Sequence, residues 1–214
     1  MISDLIVKLE RFKSMIKLRH YLLHSAAICR GTILAAMFST SLFASESDNL
    51  GTLPLTSFSD NNNDFGWYVQ NDNVMGGRSE GDFNISSGQL IFAGNTNTNG
   101  GGFSSIRTQT LKLDLSGYTG IRVKVKADGR RYTWGMQTDA RWRGRRVNYW
   151  ADFDTIPDET TVIDIPFTSF FPQFRGFKLD GPELNITKIN EFALYQYDKT
   201  DGPFELFLLS VEAY

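Results

Sequence analysis

Few residues of this 214-residue sequence could carry out acid–base or metal chemistry, apart from its carboxylates. Both histidines, His20 and His24, and the only cysteine, Cys29, lie near the N-terminus, in a segment that we predict is removed. Without them the rest of the chain cannot form a disulfide, a thiolate nucleophile, a Ser-His-Asp triad or the usual His/Cys zinc site. Most kinds of catalytic site are therefore excluded.

Four carboxylates lie close together in the sequence and could in principle act as general acids or bases. Asp152 and Asp154 share a strand parity, so both should face one side of a sheet, and Asp158 and Glu159 follow them. Such a pair could serve a glycoside hydrolase, but the same spacing is common in solvated strands. We predict no catalytic residues and no cofactor, and hence no enzyme.

One short polar stretch contains oxygen-bearing side chains that could hold a structural calcium ion. Its members are Asp60, Asn61, Asn63 and Asp64. Carboxylate and amide oxygens are the ligands that calcium prefers, and loops of β-sandwiches supply them. These four residues are a candidate group of calcium ligands, but we do not predict a metal site from them.

The segment Asn71–Gly81, NDNVMGGRSEG, is the most specific of the chain. It is either a structural bend or a binding loop, because adjacent glycines permit unusual backbone conformations and the Asp and Ser side chains can accept hydrogen bonds from turn amides. It lacks the Lys-Ser/Thr ending and the following helix of a nucleotide-binding loop. Its candidate binding residues are Asp72, Met75, Gly76, Gly77 and Ser79.

A cluster of arginines and aromatic residues occupies the segment Arg130–Trp150. Arginine with exposed aromatic rings suits a protein interface, a carbohydrate site or an anionic ligand. The alternative is a solvated hairpin whose tryptophans, Trp134 and Trp150, fill the core. We predict a loop between Thr138 and Arg146, which makes Trp142 the preferred binding residue. The candidates of this region are Arg130, Trp142, Arg145 and Tyr149, to which Arg107 is added from an earlier strand.

Strands must position these residues, because ten segments are rich in aromatic or β-branched residues and are separated by Gly-containing turns. They are residues 66–70, 80–85, 89–93, 103–110, 120–127, 132–138, 147–153, 161–166, 189–197 and 204–213, and residues 53–58 add an entering edge strand. In Ile121–Ala127, apolar residues alternate with Arg and Lys, so one face should be buried. Regular spacing of short strands predicts an all-β sandwich or barrel.

The first 44 residues have a different composition from the rest. They contain six Lys or Arg residues and two acidic ones, and the apolar run of residues 31–43 resembles the core of a signal peptide. We predict a leader at residues 1–44, export to the periplasm or the extracellular space, and a single domain at residues 45–214. The alternatives are a mitochondrial transit peptide or an uncleaved leader, through which alone the chain would contact a membrane.

The charge of residues 45–214 argues against nucleic acid as a partner. They contain 16 Lys and Arg residues against 22 Asp and Glu residues, a net charge of −6. Binding to nucleic acid usually requires a basic surface. We therefore predict no nucleic-acid partner, although the aromatic rings of the Arg130–Trp150 segment could stack on single-stranded bases.

Six ordered motifs resemble those of the complex I intermediate-associated protein 30 family. They are WYVQNDNVMGGRSEG from Trp67, GGFSSIR within residues 99–107, ADGRRY from Ala127, residues 165–167, FPQFRG from Phe171 and GPFEL from Gly202. The resemblance covers residues 54–214. It implies a galactose-binding-like jelly-roll sandwich and, for mitochondrial members, a role in assembling respiratory complex I.

Two functional hypotheses follow. The first is an assembly or chaperone-like module that binds a protein partner, such as a respiratory-complex subunit, through the Asn71–Gly81 and Arg130–Trp150 segments. The second is an exported carbohydrate-binding module that stacks a sugar on Trp142 or a neighbouring ring. The motifs favour the first hypothesis, whereas the leader and the aromatic residues favour the second.

Overall fold

The computed structural model of the chain describes residues 51–58, 63 and 65–214, so the predicted leader lies outside the described residues. Within them lie thirteen strands: β1 Leu53–Thr56, β2 Tyr68–Asn71, β3 Glu80–Ser86, β4 Gln89–Thr96, β5 Ser104–Arg107, β6 Gly120–Ala127, β7 Arg131–Trp142, β8 Arg145–Asp154, β9 Thr160–Pro166, β10 Phe171–Phe174, β11 Phe177–Lys178, β12 Glu191–Gln196 and β13 Gly202–Ala213. Three short 3-10 helices cover Asp72–Met75, Phe167–Ser169 and Ile186–Lys188. No helix in this part of the chain is long and apolar enough to cross a membrane.

The strands form two antiparallel sheets that pack face to face. The six-stranded sheet has the order β3-β4-β13-β6-β9, and β1 pairs with the end of β13. The seven-stranded sheet has the order β11-β10-β8-β7-β12-β5-β2. Each of the ten predicted strands and the entering edge strand corresponds to a strand of the structure, and the predicted all-β sandwich is confirmed.

The six-stranded sheet shows the predicted alternation most clearly in β6. Ile121, Val123 and Val125 are buried, and the basic residues between them are not. Arg122 makes a two-pronged ion pair with Asp164 of the neighbouring β9, through Nε at 2.6 Å and Nη2 at 2.9 Å. The period of two therefore places one row of β6 in the core and the other in contact with water.

The core lies between the two sheets. Phe92, Leu206 and Leu208 of the six-stranded sheet and Trp134 and Phe192 of the seven-stranded sheet are fully buried. Burying a side chain of this size contributes about 1.5–3 kcal/mol. Trp134 thus fills the core, as one of the two interpretations of the Arg130–Trp150 segment predicts.

The hairpin of β7 and β8 differs from the prediction, because the loop expected between Thr138 and Arg146 is absent. β7 continues to Trp142 and β8 begins at Arg145, so that Arg143 and Gly144 form a two-residue turn. Both turn residues have positive φ, 50° and 78°, as tight hairpin turns require. A β-bulge shifts the register of β7 relative to β8 between Gln137 and Arg141. The strand continues past this irregularity instead of ending there.

Two strands at one edge of the seven-stranded sheet were not predicted. β10 pairs with β8, and the two-residue β11 folds back on β10 through the turn Arg175–Gly176. Pro172 inside β10 weakens the strand pattern of the sequence, because proline cannot donate to a sheet ladder. It is tolerated here in a short strand near the sheet edge.

The outer face of the seven-stranded sheet, which points away from the core, is also largely covered at its centre. In β7, Thr133 and Gln137 alternate with core residues and point outward, yet both are buried. Between them lies Gly135, where a Cβ atom would come within 2.8 Å of the ring of Tyr195. The missing side chain of Gly135 lets this ring approach the sheet closely.

Candidate functional site

The carboxylate of Asp72 organises the Asn71–Gly81 segment. The amide of Ser79 donates a hydrogen bond to Oδ1 at 2.8 Å, and the hydroxyl of Ser79 donates to Oδ2 at 2.7 Å. The amides of Gly102 and Phe103 donate to the same Oδ2 at 2.6 Å and 3.2 Å. Asp72 is fully buried, and its side chain therefore ties this segment to the turn that precedes β5.

The charge of Asp72 is stabilised by these hydrogen bonds. Burial by itself raises the pKa of a carboxyl group, but the bonds from Gly102, Ser79 and Phe103 outweigh it and lower the pKa of Asp72 below its ordinary value. All four donors favour the ionised form. The carboxylate has a structural role and has no surface that a ligand could reach.

The two adjacent glycines of the segment are required for different reasons. Gly76 has φ of 87° and nothing within 4 Å of the position of a Cβ atom, so its backbone conformation is what favours glycine. A Cβ atom on Gly77 would overlap the carboxylate of Asp72. Gly101, on the other side of Asp72, is packed in the same way. This geometry supports the structural-bend interpretation of the segment.

The bend exposes two apolar side chains to solvent. Val74 and Met75, in the 3-10 helix Asp72–Met75, are 63% and 57% exposed. Both line the edge of a cleft. Of the predicted binding residues in this segment, Met75 is thus placed at the cleft, whereas Asp72 and Ser79 are buried beneath the loop.

The cleft has a volume of about 330 Å³ and lies on the outer face of the seven-stranded sheet. Strands β2, β5, β8, β10 and β12 all contribute to its lining. Its aromatic side chains are Phe103, Trp150, Phe174, Tyr195 and Tyr197. Its polar side chains are Gln70, Arg107, Asn148, Gln173 and Arg175. The lining contains two arginines and no carboxylate.

Aromatic rings that interlock at an angle form the floor of the cleft. The centroid of Trp150 lies 4.8 Å from that of Tyr195 and 5.2 Å from that of Tyr197, with the planes inclined at 53° and 69°. Tilted arrangements of this kind are the favourable ones for aromatic pairs. Trp150 therefore faces the cleft, and the interpretation that it fills the core is wrong.

A buried ion pair lies beside this aromatic floor. Nη1 of Arg107 is 3.6 Å from Oε1 of Glu191, and the guanidinium of Arg107 is 5.2 Å from the centroid of Tyr195. Burial raises the pKa of Glu191, and the nearby charges of Arg107 and Arg146 offset part of that rise. The predicted candidate Arg107 thus belongs to the cleft. Its charge is partly neutralised by Glu191, which was not among the predicted residues.

Two more predicted residues flank the cleft without lining it. Trp142 is half-buried, and its ring centroid lies 5.8 Å from that of Phe174. The guanidinium of Arg145 lies 5.7 Å from the same Phe174 centroid. Trp142 is therefore less exposed than expected, because it belongs to a strand and packs on the β10–β11 hairpin.

Arg130 lies away from the cleft and has a structural role. Its Nε and Nη2 donate to the carboxylate of Asp198 at 2.9 Å and 2.6 Å. The same guanidinium donates to the carbonyls of Thr200, Gly202 and Pro203. Its N–H donors thus all bind acceptors in and around the loop that leads into β13. Arg130 is therefore not the binding residue that was predicted.

Tyr149 also lies away from the cleft. Its side chain is fully buried in the core, and its hydroxyl is 3.1 Å and 2.9 Å from the carbonyl oxygens of Pro182 and Glu183. In β8, Tyr149 and Trp150 point to opposite faces. Tyr149 was one of the predicted candidate binding residues, whereas it is its neighbour Trp150 that faces the cleft.

The candidate calcium group lies mostly outside the described residues, which include only Asn63 of its four members. The side chain of Asn63 accepts a hydrogen bond from the amide of Trp67 at 2.6 Å and donates to the carbonyl of Trp67 at 3.1 Å. No group of three or more His, Cys, Asp or Glu side chains that could hold a metal occurs among the residues that the structure describes.

Asp152 and Asp154, two of the four carboxylates considered as acids or bases, have structural partners. The hydroxyl of Thr133 donates to Asp152 at 2.6 Å, and Arg131 pairs with Asp154 at 2.8 Å. Asp158 is almost fully exposed at 4.0 Å from Lys126. This arrangement offers a substrate no enclosed pair of carboxyl groups.

The sequence contains one signal for part of the cleft, the alternation of residues within β8. In β8, Val147, Tyr149 and Ala151 form one alternating row, which leaves Asn148 and Trp150 in the opposite row. The residues Phe103, Gln173, Phe174, Tyr195 and Tyr197 offered no comparable signal, because their neighbours in the cleft come from distant parts of the chain.

A family model described as complex I intermediate-associated protein 30 matches residues 56–208. An uncharacterized protein of Schizosaccharomyces pombe is 30% identical over 127 residues, which cover 53% of this chain and 58% of that protein. The chain therefore spans less than two thirds of the length of this relative.

Solved structures with a similar fold include two proteins of carbohydrate metabolism. A family 11 carbohydrate-binding module from Clostridium thermocellum, in complex with a β-1,3-1,4-mixed-linked tetrasaccharide, is 15% identical and has a TM-score of 0.56 over 76% of this chain and 95% of that chain. The agarase AgWH50C is 12% identical, with a TM-score of 0.53 over 77% of this chain and 25% of that chain. At these identities the similarity concerns the fold alone.

The family match includes the Asp72 bend, the strands that carry the cleft and the start of β13. It covers more than half of the sequence and agrees with the motif resemblance. The chain belongs to the complex I intermediate-associated protein 30 family.

Proposed function

We propose that this protein is a non-catalytic, assembly or chaperone-like binding protein that holds a polypeptide segment of its partner in the cleft of the seven-stranded sheet. One observation carries the proposal. The Asp72 bend, which contains the most specific motif of the sequence, presents Val74 and Met75 to water at the edge of the cleft. The partner class, subunits or intermediates of respiratory complex I, comes from the family.

The physical argument concerns what a rigid bend with an apolar tip can do. Four hydrogen bonds to Asp72 fix the backbone of the bend, so Val74 and Met75 lose little freedom when a partner covers them. Apolar side chains next to a groove are typical of surfaces that bind polypeptides. Methionine adapts to partners of different shape.

The test is capture of partner proteins from the native cells with two matched variants of the full chain. Val74→Asp places a charge at the edge of the cleft. The control Val162→Asp places the same charge on β9 of the other sheet, where the valine is 59% exposed. We expect the wild type and Val162→Asp to enrich complex I subunits, and Val74→Asp to lose about nine tenths of that enrichment. Equal enrichment by both variants, or none by the wild type, would contradict the proposal.

A carbohydrate-binding function is the second candidate, because the cleft combines aromatic rings with the amides of Gln70, Asn148 and Gln173. Aromatic rings and a few amides are sufficient to bind a neutral sugar. Calorimetry with the full chain and a β-1,3-1,4-mixed-linked tetrasaccharide, followed by a glycan array, tests this candidate. Binding that is lost in Asn148→Ala would support it, and a blank array would exclude it.

The location of the protein separates the two candidates. Export after cleavage near Ala44 would remove the chain from complex I subunits in the cytoplasm or the mitochondrial matrix, and would favour the carbohydrate candidate. Retention inside the cell or the mitochondrion would favour the assembly function. Fractionation of native cells and sequencing of the mature N-terminus distinguish these outcomes.

A further inference from the structure

We infer that the polypeptide segment held in the cleft is acidic, with apolar side chains between its carboxylates. This inference rests on the proposed function and names the chemistry of the partner. The observations behind it are the positions of cations around the cleft, their lack of carboxylate partners, and the exposed apolar residues at the opposite edge.

Cations are concentrated on the aromatic rings of this face. Six of the seven cation–π pairs of the described residues involve a ring that lines the cleft or belongs to the β7–β8 and β10–β11 hairpins beside it. The cations are Arg107, Arg143, Arg145, Arg175, Lys178 and Lys199. The remaining pair, Arg122 with Tyr214, lies on the six-stranded sheet.

Most of these cations lack a carboxylate partner, whereas several cations elsewhere in the described residues have one. Arg107 pairs with Glu191, and the other five form no ion pair with a described residue. Away from the cleft, Arg122, Arg130 and Arg131 each pair with an aspartate at 2.6–2.8 Å. Positive charge at the cleft is thus left uncompensated in a domain whose net charge over residues 45–214 is −6.

This charge distribution favours an anionic ligand. Like charges placed close together repel one another, and an incoming carboxylate relieves that repulsion while gaining charge-assisted hydrogen bonds. Arg175 lines the cleft itself, and Arg145 lies over the ring of Phe174, which also lines it. Carboxylates that enter on this side meet two guanidinium groups on a rigid aromatic support.

A polypeptide fits the observations better than a neutral sugar or a nucleic acid. Arg107 and Lys199 already lie over the rings of Tyr195 and Tyr197, so one face of each ring is occupied and less ring surface remains for a sugar or a base to stack on. Val74 and Met75 need apolar contacts. An extended peptide presents side chains alternately to two sides, and can therefore direct acidic residues to the arginines and apolar residues to the rings and the bend.

The experiment measures binding of the full chain to a fluorescein-labelled peptide of about 12 residues in which Asp and Glu alternate with Leu and Phe. Fluorescence anisotropy at about 0.05 M and 0.3 M NaCl gives the affinity and its salt dependence. We expect binding that weakens with salt. A peptide with Lys in place of every acidic residue should bind at least about tenfold more weakly than the acidic peptide.

Two matched double variants locate the binding surface. Arg145→Glu/Arg175→Glu should weaken binding about tenfold, whereas Lys112→Glu/Lys124→Glu, which changes the charge equally at two exposed lysines without ion pairs, should change it less than about twofold. Arg145→Lys/Arg175→Lys should keep most of the affinity, and melting temperatures confirm that all variants fold. Equal losses in both charge-reversed variants would overturn the inference.

Other probes test the competing ligand classes. A single-stranded oligothymidylate or polygalacturonate that binds more tightly than the acidic peptide would overturn the inference, as would equal binding of the Lys peptide. If the peptide fails to bind while Val74→Asp still abolishes capture of complex I subunits, the inferred peptide chemistry is wrong and the proposed function stands. If the peptide does not bind and Val74→Asp does not reduce the capture of complex I subunits, both proposals are wrong.

Discussion

At the scale of single residues, Asp72 decides how the most specific segment of the chain folds. Its carboxylate accepts four hydrogen bonds from Ser79, Gly102 and Phe103, and two glycines leave it room on either side. A carboxylate with this many donors stays ionised although it is buried. The pairing of an aspartate with close glycines in this sequence therefore reflects packing around one buried charge.

The first prediction concerns the charge of Asp72. Because folding lowers its pKa, the ionised carboxylate contributes stability that is present above its unfolded pKa of about 3.9 and is lost as the pH falls through the folded value. Asp72→Asn should reduce the free energy of unfolding at pH 7 by about 2–4 kcal/mol, since an amide cannot accept from all four donors. Urea unfolding at several pH values measures the difference.

The difference between Asp72→Asn and the wild type should shrink as the pH falls below about 3.9, because the unfolded wild-type chain then binds a proton that the folded carboxylate does not. Glu80→Gln, at an exposed carboxylate eight positions along the chain, should change stability by less than about 0.5 kcal/mol. A loss for Asp72→Asn that does not vary with pH would show that the charge is unimportant.

The second prediction separates the two adjacent glycines. Gly77→Ala should lower the free energy of unfolding by about 2–3 kcal/mol, because its Cβ atom would overlap the carboxylate of Asp72. Gly76→Ala should cost about 1 kcal/mol, because only the positive φ opposes it. Thermal and urea unfolding of both variants give the comparison, and a greater loss for Gly76→Ala would contradict the packing argument.

At the scale of elements, two hairpins build one wall of the cleft. The β7–β8 hairpin extends to a two-residue turn, which brings Trp142 against Phe174 of the β10–β11 hairpin. The β10–β11 hairpin lies at the edge of the sheet and pairs with β8 alone among the longer strands. The position of this wall therefore depends on contacts between side chains of the two hairpins.

The third prediction tests that dependence. Trp142→Ala should remove about 1 kcal/mol of ring packing and increase hydrogen exchange of the amides in residues 171–178 roughly fivefold. Phe177→Ala is the control, because Phe177 is 74% exposed and its ring has no stacking partner among the described residues. Hydrogen exchange followed by mass spectrometry reports both, and unchanged exchange in Trp142→Ala would show that the wall holds without this contact.

At the scale of the whole molecule, the two sheets share one hydrophobic core. All four tryptophans of the chain, Trp67, Trp134, Trp142 and Trp150, lie in the seven-stranded sheet or immediately before it. Tryptophan fluorescence therefore reports that sheet selectively, whereas circular dichroism reports both sheets. The two signals allow the coupling of the sheets to be measured.

The fourth prediction uses this distribution. Phe92→Ala, at a fully buried position in β4 of the six-stranded sheet, should lower the free energy of unfolding by about 3–5 kcal/mol. Because Phe92 contacts the shared core, the fluorescence midpoint should fall as far as the circular dichroism midpoint. A fluorescence midpoint that stays at the wild-type value would show that the two sheets unfold independently.

The sequence by itself was sufficient to predict the sandwich, the family and every strand except β10 and β11. In β6, alternation of apolar and basic residues defines the buried face, and Gly-containing turns delimit the neighbouring strands. These features depend on residues close in the chain, whose positions relative to one another follow from the period of a strand. The motif around Asp72 could be found in the same way, although its hydrogen-bond partners could not.

The tertiary structure alone decided where the cleft lies and which side chains share it. Gln70, Arg107, Trp150 and Tyr195 come from four strands, and they meet because of the order β8-β7-β12-β5-β2. Alternation assigns residues to a face but does not say which strands are neighbours or in which register they pair. For the same reason Tyr149 was a candidate binding residue and one of two interpretations placed Trp150 in the core, whereas the packing of the second sheet buries Tyr149 and leaves Trp150 facing the cleft.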